Sequence, residues 1–148
     1  MTNNVFITGG SRGIGAAAVL AFARAGYNVA FTYNSHPDAA DAVRRQAEGI
    51  NPGGLYLAIR ADAGDPAQVR AAVARAEQEL GSLQVLVCNA GVLLFGPLAA
   101  APPERIGRIV TLHCTTPALL CRLYGEEMRR RGEGYILVMS SATAWMPY

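Results

Sequence analysis

The chain contains no lysine: all 13 basic residues among its 148 are arginine. Alanine and glycine are abundant beside them, and we interpret this bias as the codon usage of a GC-rich genome. Eleven acidic residues bring the formal net charge to only +2. A balance so close to neutral gives no indication of a nucleic-acid or membrane surface.

Cysteine is also scarce. Cys88, Cys114 and Cys121 are an odd set without Cys-x-x-Cys spacing, so we expect free thiols rather than a disulfide framework or a metal site. No apolar run is long enough to span a bilayer, and no signal peptide precedes the first apolar run. These absences predict a cytoplasmic protein without bound metal and without a membrane or nucleic-acid partner.

The remaining composition is that of a well-packed α/β protein. Hydrophobic residues make up 51% of the chain and charged residues 16%. A chain of this length suits one domain, residues 1–148, with a sizeable core. We find no internal repeat, linker or low-complexity segment.

Apolar runs alternate with segments of helical periodicity along the whole chain. The helices are predicted at Ala16–Arg24, from His36 to about Gly49, from Pro66 to Gly81, and from about Glu104 to Arg130. The five predicted strands are Val5–Ile7, Asn28–Tyr33, Leu55–Arg60, Leu83–Cys88 and Tyr135–Ser140. This alternation predicts right-handed crossovers and a parallel sheet with helices on both faces.

The most informative motif joins the first strand to the first helix. It reads Thr8-Gly9-Gly10-Ser11-Arg12-Gly13-Ile14-Gly15. A glycine turn at this place aims backbone N–H groups, and the positive end of the helix dipole, at one point. A Cβ would block the close approach of phosphates or of helix to strand. The motif therefore predicts a diphosphate site; a simple strand–helix connection is the alternative.

Further polar residues follow the other predicted strands. Asn34, Asp62, Asn89 and Ser141 each come at or near the carboxyl end of a strand. Ligands of open parallel sheets bind at that edge. We therefore expect these residues to share one site with the glycine turn.

The motifs together resemble the short-chain dehydrogenase/reductase family, and within it bacterial 3-oxoacyl-acyl-carrier-protein reductases. The glycine turn resembles the family's Thr-Gly-x-x-x-Gly-x-Gly motif. Cys88-Asn89-Ala90-Gly91 resembles Asn-Asn-Ala-Gly with the first asparagine replaced, and Ile136–Ser141 resembles the strand that ends in the active-site serine. The resemblance implies a Rossmann-type, doubly wound sheet represented by its first five strands.

The resemblance also implies cofactor roles. Asp62 and Ala63 would hold the adenine, although an Asp-Ala-Gly-Asp turn explains Asp62 equally well locally. Asn89, Ala90 and Gly91 would line the ribose, and Asn89 could also cap its strand. The second strand ends in Tyr33-Asn34-Ser35, without the carboxylate that an NAD site usually places there. With Arg12 in the phosphate turn, this favours NADP over NAD.

Two residues are candidates for catalysis. Ser141 matches the serine that hydrogen-bonds the substrate carbonyl or hydroxyl, and Ser140 is the weaker candidate. His113 stands where the family usually has a catalytic asparagine; a packed or partly exposed helix histidine is the simpler interpretation. Pro117 has no N–H, so the carbonyl of His113 loses its helical partner and could accept from a water in the family's proton relay. A simple helix kink is the alternative.

The family's Tyr-x-x-x-Lys motif is missing. Its lysine lowers the pKa of the tyrosine, which otherwise titrates near 10 and would transfer protons poorly at neutral pH. We interpret Tyr148 as a loop residue. The resemblance implies NADP-linked reduction of a small-molecule ketone, such as a 3-oxoacyl thioester, to an alcohol. The alternative is a non-catalytic dinucleotide-binding or interaction module; a methyltransferase fits the strand-end motifs less well. We also expect a homo-oligomer through the long helix, Glu104 to Arg130.

Overall fold

The structure, a computed structural model, describes residues 3–93 and 96–142. Five parallel strands form one sheet in the order β3-β2-β1-β4-β5. The strands are β1 (Asn4–Ile7), β2 (Asn28–Tyr33), β3 (Tyr56–Arg60), β4 (Val85–Cys88) and β5 (Tyr135–Val138). The helices are α1 (Gly13–Arg24), α2 (Pro37–Ile50), α3 (Pro66–Leu80), α4 (Pro103–Val110) and α5 (Thr116–Arg131).

The sheet reverses its strand order beside β1. From β1 the chain adds β2 and then β3 on one side, and β4 and then β5 on the other. Ile7, the last residue of β1, pairs with both Phe31 and Val87, and β2 and β4 end within two residues of these partners, so the three central strands end at the same edge of the sheet. The crevice at such a switch point is where open α/β sheets bind ligands. The expected doubly wound α/β fold is confirmed.

Two apolar layers hold helices against the two faces of the sheet. One layer packs Phe6 and Leu86 with Val69 and Val73 of α3 and Leu120 of α5. The other packs β1, β2 and β4 against α1 and α2, with the fully buried Ile7, Val19 and Phe31 among its members. The central strands carry apolar residues on both faces because both faces are covered. This packing holds the carboxyl edge of the sheet in place.

The predicted long helix is divided. α4 and α5 are joined by a π-helical segment, Thr111–Thr115, in which the Thr116 N–H donates to the carbonyl of Thr111, five residues back. Pro117 follows and has no N–H to give to the carbonyl four residues before it. Single π turns of this kind occur as bulges inside α-helices, and this one lies directly before the proline. The division of the predicted helix is therefore located at the proline that the sequence analysis singled out.

The other element bounds differ from prediction by a few residues. β4 begins at Val85 rather than Leu83, and β5 ends at Val138 rather than Ser140. α1 begins earlier than predicted, at Gly13 inside the glycine turn. Tyr148 lies outside the described residues. Within the described ranges no helix is long and apolar enough to cross a membrane.

Candidate functional site

A cleft of about 460 Å³ opens at the carboxyl edge of the sheet. It is lined by the glycine turn except Thr8 and Gly10, and by every residue that the resemblance assigned to the adenine, to the ribose and to the end of β2. Its lining consists of Gly9, Ser11, Arg12, Gly13, Ile14, Gly15, Thr32, Tyr33, Asn34, Ser35, His36, Ala61, Asp62, Ala63, Asn89, Ala90, Gly91, Val92, Arg108 and Leu112. Segments far apart in the sequence therefore meet at one place. The individual roles of these residues stay predictions.

The glycines of the turn serve different physical needs. A Cβ on Gly15 would collide with the backbone of Gly9 and lie 2.6 Å from the side-chain nitrogen of Asn89. The close packing at this position therefore requires glycine. Gly13 has φ +56°, yet a Cβ there would meet no atom within 4 Å. Its backbone therefore borders open space in the cleft. An exposed turn of this kind fits a diphosphate that approaches the main chain closely.

The first turn of α1 is left without a capping side chain. Arg12 is the N-cap and makes no side-chain cap bond, and the first turn holds no acidic residue. α3 shows the contrast, because its N-cap Asp65 accepts from the N–H groups of Ala67 and Gln68. Uncapped N–H groups at a helix start are suited to an anionic ligand. Together with the glycine turn, this end of α1 fits the phosphates of a dinucleotide.

A buried threonine fixes the turn to β4. The Thr8 hydroxyl oxygen accepts from the N–H groups of Asn89 at 2.9 Å and Ala90 at 3.0 Å. In return the Asn89 side-chain amide donates to the carbonyls of Thr8 at 3.0 Å and Gly9 at 3.1 Å. On the other side, the Gly9 N–H donates to the Thr32 hydroxyl. These bonds show that Asn89 holds the glycine turn against the end of β4, and its expected contact with the ribose stays a prediction.

Arg12 and the end of β2 line the same cleft. Arg12 is exposed and has no ion pair with any residue in the described part of the chain. Tyr33, Asn34 and Ser35 also line the cleft and supply no carboxylate. Among the described residues that line the cleft, Asp62 is the one acidic side chain. This end of the cleft is therefore electrostatically suited to an anion.

Asp62 has a cation partner that sequence reasoning missed. Arg108 of α4 donates to Asp62 Oδ1 at 2.8 Å, and the Gly64 N–H donates to the same oxygen at 2.8 Å. Arg108 is 46 residues away in the sequence and is one of 13 arginines. No local pattern distinguishes it from the others, so only the fold could identify it.

His113 and Ser141 are not among the residues that line the cleft. His113 is exposed, and its Nε2 lies 2.9 Å from the Val92 carbonyl and 3.2 Å from the Val92 N–H. This contact joins the π-helical segment to the chain that follows β4. Ser141 is exposed and comes three residues after the end of β5. The catalytic roles of both residues stay predictions.

Cys88 takes the place of the first asparagine in the family's motif and is buried at the end of β4. Burial raises the pKa of its thiol to about 12. The group is therefore protonated at neutral pH and is a poor nucleophile. Its position is explained by packing in the core.

Comparison with known proteins identifies the family. The sequence model for "short chain dehydrogenase" matches residues 3–148. The chain belongs to the short-chain dehydrogenase family. A 3-oxoacyl-[acyl-carrier-protein] reductase of Staphylococcus aureus is 39% identical over 143 residues, covering 95% of this chain and 56% of the reductase. Versicolorin reductase 1 of Aspergillus parasiticus is 33% identical over 138 residues, covering 93% of this chain and 51% of that enzyme.

Solved structures of short-chain dehydrogenases share the fold. A Sphingobium yanoikuyae enzyme in complex with NADPH has a TM-score of 0.88 and 28% identity, covering 98% of this chain and 56% of its own. A metagenomic short-chain oxidoreductase in complex with NADP has a TM-score of 0.89 and 28% identity, covering 99% of this chain and 65% of its own. The chain spans about half the length of the curated relatives that it matches.

Proposed function

We propose that this cleft binds NADP(H) and that the chain belongs to an oxidoreductase that reduces a ketone to an alcohol. The observation that carries the proposal is the uncapped, glycine-rich start of α1, with Arg12 at its N-cap and without an ion pair to any described residue. NADP(H) carries a diphosphate, which matches the start of α1, and an additional 2′-phosphate, which matches Arg12. The solved relatives in complex with NADPH or NADP support the same cofactor.

Selection against NAD(H) would follow from the end of β2. An NAD site typically places a carboxylate there to bind the ribose hydroxyls, and that charge would repel a 2′-phosphate. Tyr33, Asn34 and Ser35 supply no such charge. Arg12 would instead form a charge-assisted contact with the phosphate. We therefore assign NADP(H) as the preferred cofactor.

Bound NADPH would supply a hydride to the carbonyl carbon of the substrate, and the carbonyl oxygen would take a proton from the tyrosine of the family's Tyr-x-x-x-Lys motif. Ser141 would donate a hydrogen bond to the carbonyl oxygen and stabilise the negative charge that develops on it. His113 would hold the chain after β4 through Val92, beside the cleft-lining Gly91. The 39% identity to a 3-oxoacyl-[acyl-carrier-protein] reductase makes a 3-oxoacyl thioester the first substrate to test.

A non-catalytic dinucleotide-binding module is the second candidate. Its support is the absence of lysine from all 148 residues, since the family's proton donor is a tyrosine whose pKa is lowered by a lysine one helical turn away. Without that lysine the chain by itself cannot complete the motif. The two candidates share the cofactor site and differ in turnover.

Calorimetric titration of the purified chain with NADPH and NADH tests the cofactor assignment. We expect NADPH to bind at least about tenfold more tightly, because a hydrogen bond to a charged group contributes about 1.5–3 kcal/mol. Adenosine 2′,5′-bisphosphate should bind more tightly than AMP for the same reason. Equal or tighter binding of NADH would contradict the assignment.

A further inference from the structure

Arg108 and Thr116 connect one helical face to the exit of β3. Arg108 donates to the Asp62 carboxylate at 2.8 Å, and the buried Thr116 hydroxyl donates to the Ala63 carbonyl at 3.0 Å. Both acceptors line the cleft. The segment that would receive the adenine is therefore attached to the α4–α5 helical region at two neighbouring residues.

The π-helical segment explains why Arg108 and Thr116 face the same way. Residues seven apart share a face of an α-helix, because two turns take about 7.2 residues. Arg108 and Thr116 are eight positions apart, and the π turn at Thr111–Thr115 absorbs the extra residue. Without the π turn, the two side chains would be rotated apart about the helix axis by most of the angle that one residue contributes. The unusual helix register thus brings Arg108 to Asp62.

The two oxygens of Asp62 are used unequally. Arg108 Nη2 and the Gly64 N–H both donate to Oδ1. Oδ2 receives no hydrogen bond from the residues that the structure describes. A carboxylate oxygen can accept more than one donor, so Oδ2 keeps its full capacity for a ligand. The side chain of Asp62 is also largely sheltered, with 23% of it exposed.

We propose that Arg108 is a positioning residue for recognition of the adenine ring. It holds Asp62 by Oδ1 and leaves Oδ2 to accept from the exocyclic amino group. This inference rests on the proposed function, because it assumes that the cleft binds an adenine dinucleotide. A hypoxanthine ring carries a carbonyl where adenine carries the amino group, and that oxygen would face the carboxylate without a proton to share.

The experiment compares NADPH with its hypoxanthine analogue by calorimetry. In the wild type we expect NADPH to bind at least about tenfold more tightly than the analogue, from the strength of a hydrogen bond to a charged group. Arg108→Met should reduce this preference about three- to tenfold, because the carboxylate loses its fixed orientation. Arg105→Met, an exposed arginine of the same helix outside the cleft, should leave the preference unchanged.

A double-mutant cycle with Asp62→Asn shows whether Arg108 acts through Asp62. In the Asp62→Asn background, Arg108→Met should not change the preference further. Arg108→Gln provides a second variant, and the circular dichroism of each variant verifies its fold. An unchanged or increased adenine preference in both Arg108 variants would overturn the proposal, since it would mean that the ion pair is incidental or competes with the ligand. A wild type that binds neither dinucleotide would overturn the proposed function itself, and this inference with it.

Discussion

At the scale of single residues, Arg12 has the clearest predicted effect. Its guanidinium is exposed at the start of α1 and has no ion pair among the described residues, so it is available to a phosphate. We expect Arg12→Ala to weaken NADPH binding by about 1.5–3 kcal/mol and NADH binding by much less, because only NADPH has the 2′-phosphate.

Calorimetry measures both effects, and Arg24→Ala is the matched control. Arg24 lies in the last turn of the same helix and outside the cleft. Arg24→Ala should leave the affinities for NADPH and NADH unchanged. If Arg12→Ala weakened the two cofactors equally, Arg12 would be acting on the shared diphosphate, and the preference for NADPH would need another source.

Thr8 joins the glycine turn to the residues that follow β4. Its hydroxyl oxygen is the acceptor for the N–H groups of Asn89 and Ala90, and Thr8 itself is 4% exposed. Thr8→Val keeps the shape and removes this acceptor. We expect the free energy of unfolding to fall by about 1–3 kcal/mol, the cost of leaving buried donors unsatisfied. Urea denaturation measures it, with the exposed Thr115→Val as control; equal losses in the two variants would contradict this role.

At the scale of elements, all five strands could be predicted because each is a mostly apolar run between segments of helical periodicity. Burial on both faces explains this for β1, β2 and β4, whereas β5 is apolar although it is largely exposed. Their exact ends could not be predicted. Leu83 is buried like a strand residue, but the ladder between β1 and β4 begins only at Val85. Hydrogen-bond partners on the neighbouring strand set the ends, and those partners are not local in the sequence.

The location of the cleft could be predicted from the sequence, but the ion pair between Arg108 and Asp62 inside it could not. Motifs at strand ends predicted the glycine turn, Asp62 and Asn89 as neighbours because parallel strands share one carboxyl edge. The Arg108–Asp62 ion pair depends on the sheet topology and also on the π turn that rotates α4 relative to α5. Pro117 indicated an interruption of the helix, but not the direction in which Arg108 would point.

The cap of α3 predicts a pH dependence. The hydrogen bond from the Gln68 side chain, followed by those from the Gln68 and Ala67 N–H groups, lowers the pKa of Asp65 below its ordinary value of 3.8. A lowered folded-state pKa gives stability that is complete above the ordinary pKa and is lost as the pH falls through the lowered one.

We therefore expect Asp65→Ala to lower Tm at neutral pH. The difference in Tm between this variant and the wild type should become smaller as the pH falls into the acid range. Thermal unfolding followed by circular dichroism over a pH series measures it. Asp38→Ala, which removes a first-turn acid of α2 that makes no cap bond, should cost less at neutral pH. A difference for Asp65→Ala that stayed constant down to the lowest pH would show that the cap bonds do not need the charged carboxylate.

At the scale of the whole molecule, binding and turnover should separate. We expect the 148-residue chain to bind NADPH yet to reduce no ketone above background, because it has no lysine to lower the pKa of a donor tyrosine. NADPH oxidation with a panel of ketones and acyl thioesters measures turnover. Turnover that disappeared in Tyr148→Phe would show that the assignment of Tyr148 to a loop is wrong.

The last prediction concerns association. β5 pairs with β4 alone among the described strands, and on one face its Tyr135 is 73% and its Leu137 46% exposed. An open edge beside exposed apolar side chains promotes pairing with another chain. The helical region adds a second apolar surface, since Val110 of α4 is 50% and Leu123 of α5 39% exposed. We therefore expect the purified chain to associate rather than remain a monomer of 15.6 kDa.

Light scattering coupled to size exclusion at micromolar concentration measures the mass, and two variants locate the contact. Leu123→Lys should reduce association if copies meet through the helices, as we propose for a homo-oligomer. Leu137→Lys should reduce it if the open edge of β5 is responsible, because a charge on an edge strand opposes pairing. Leu55→Lys, an exposed residue beside the opposite edge of the sheet, is the control. A stable, monodisperse wild-type monomer would contradict the prediction and show that these apolar surfaces tolerate water.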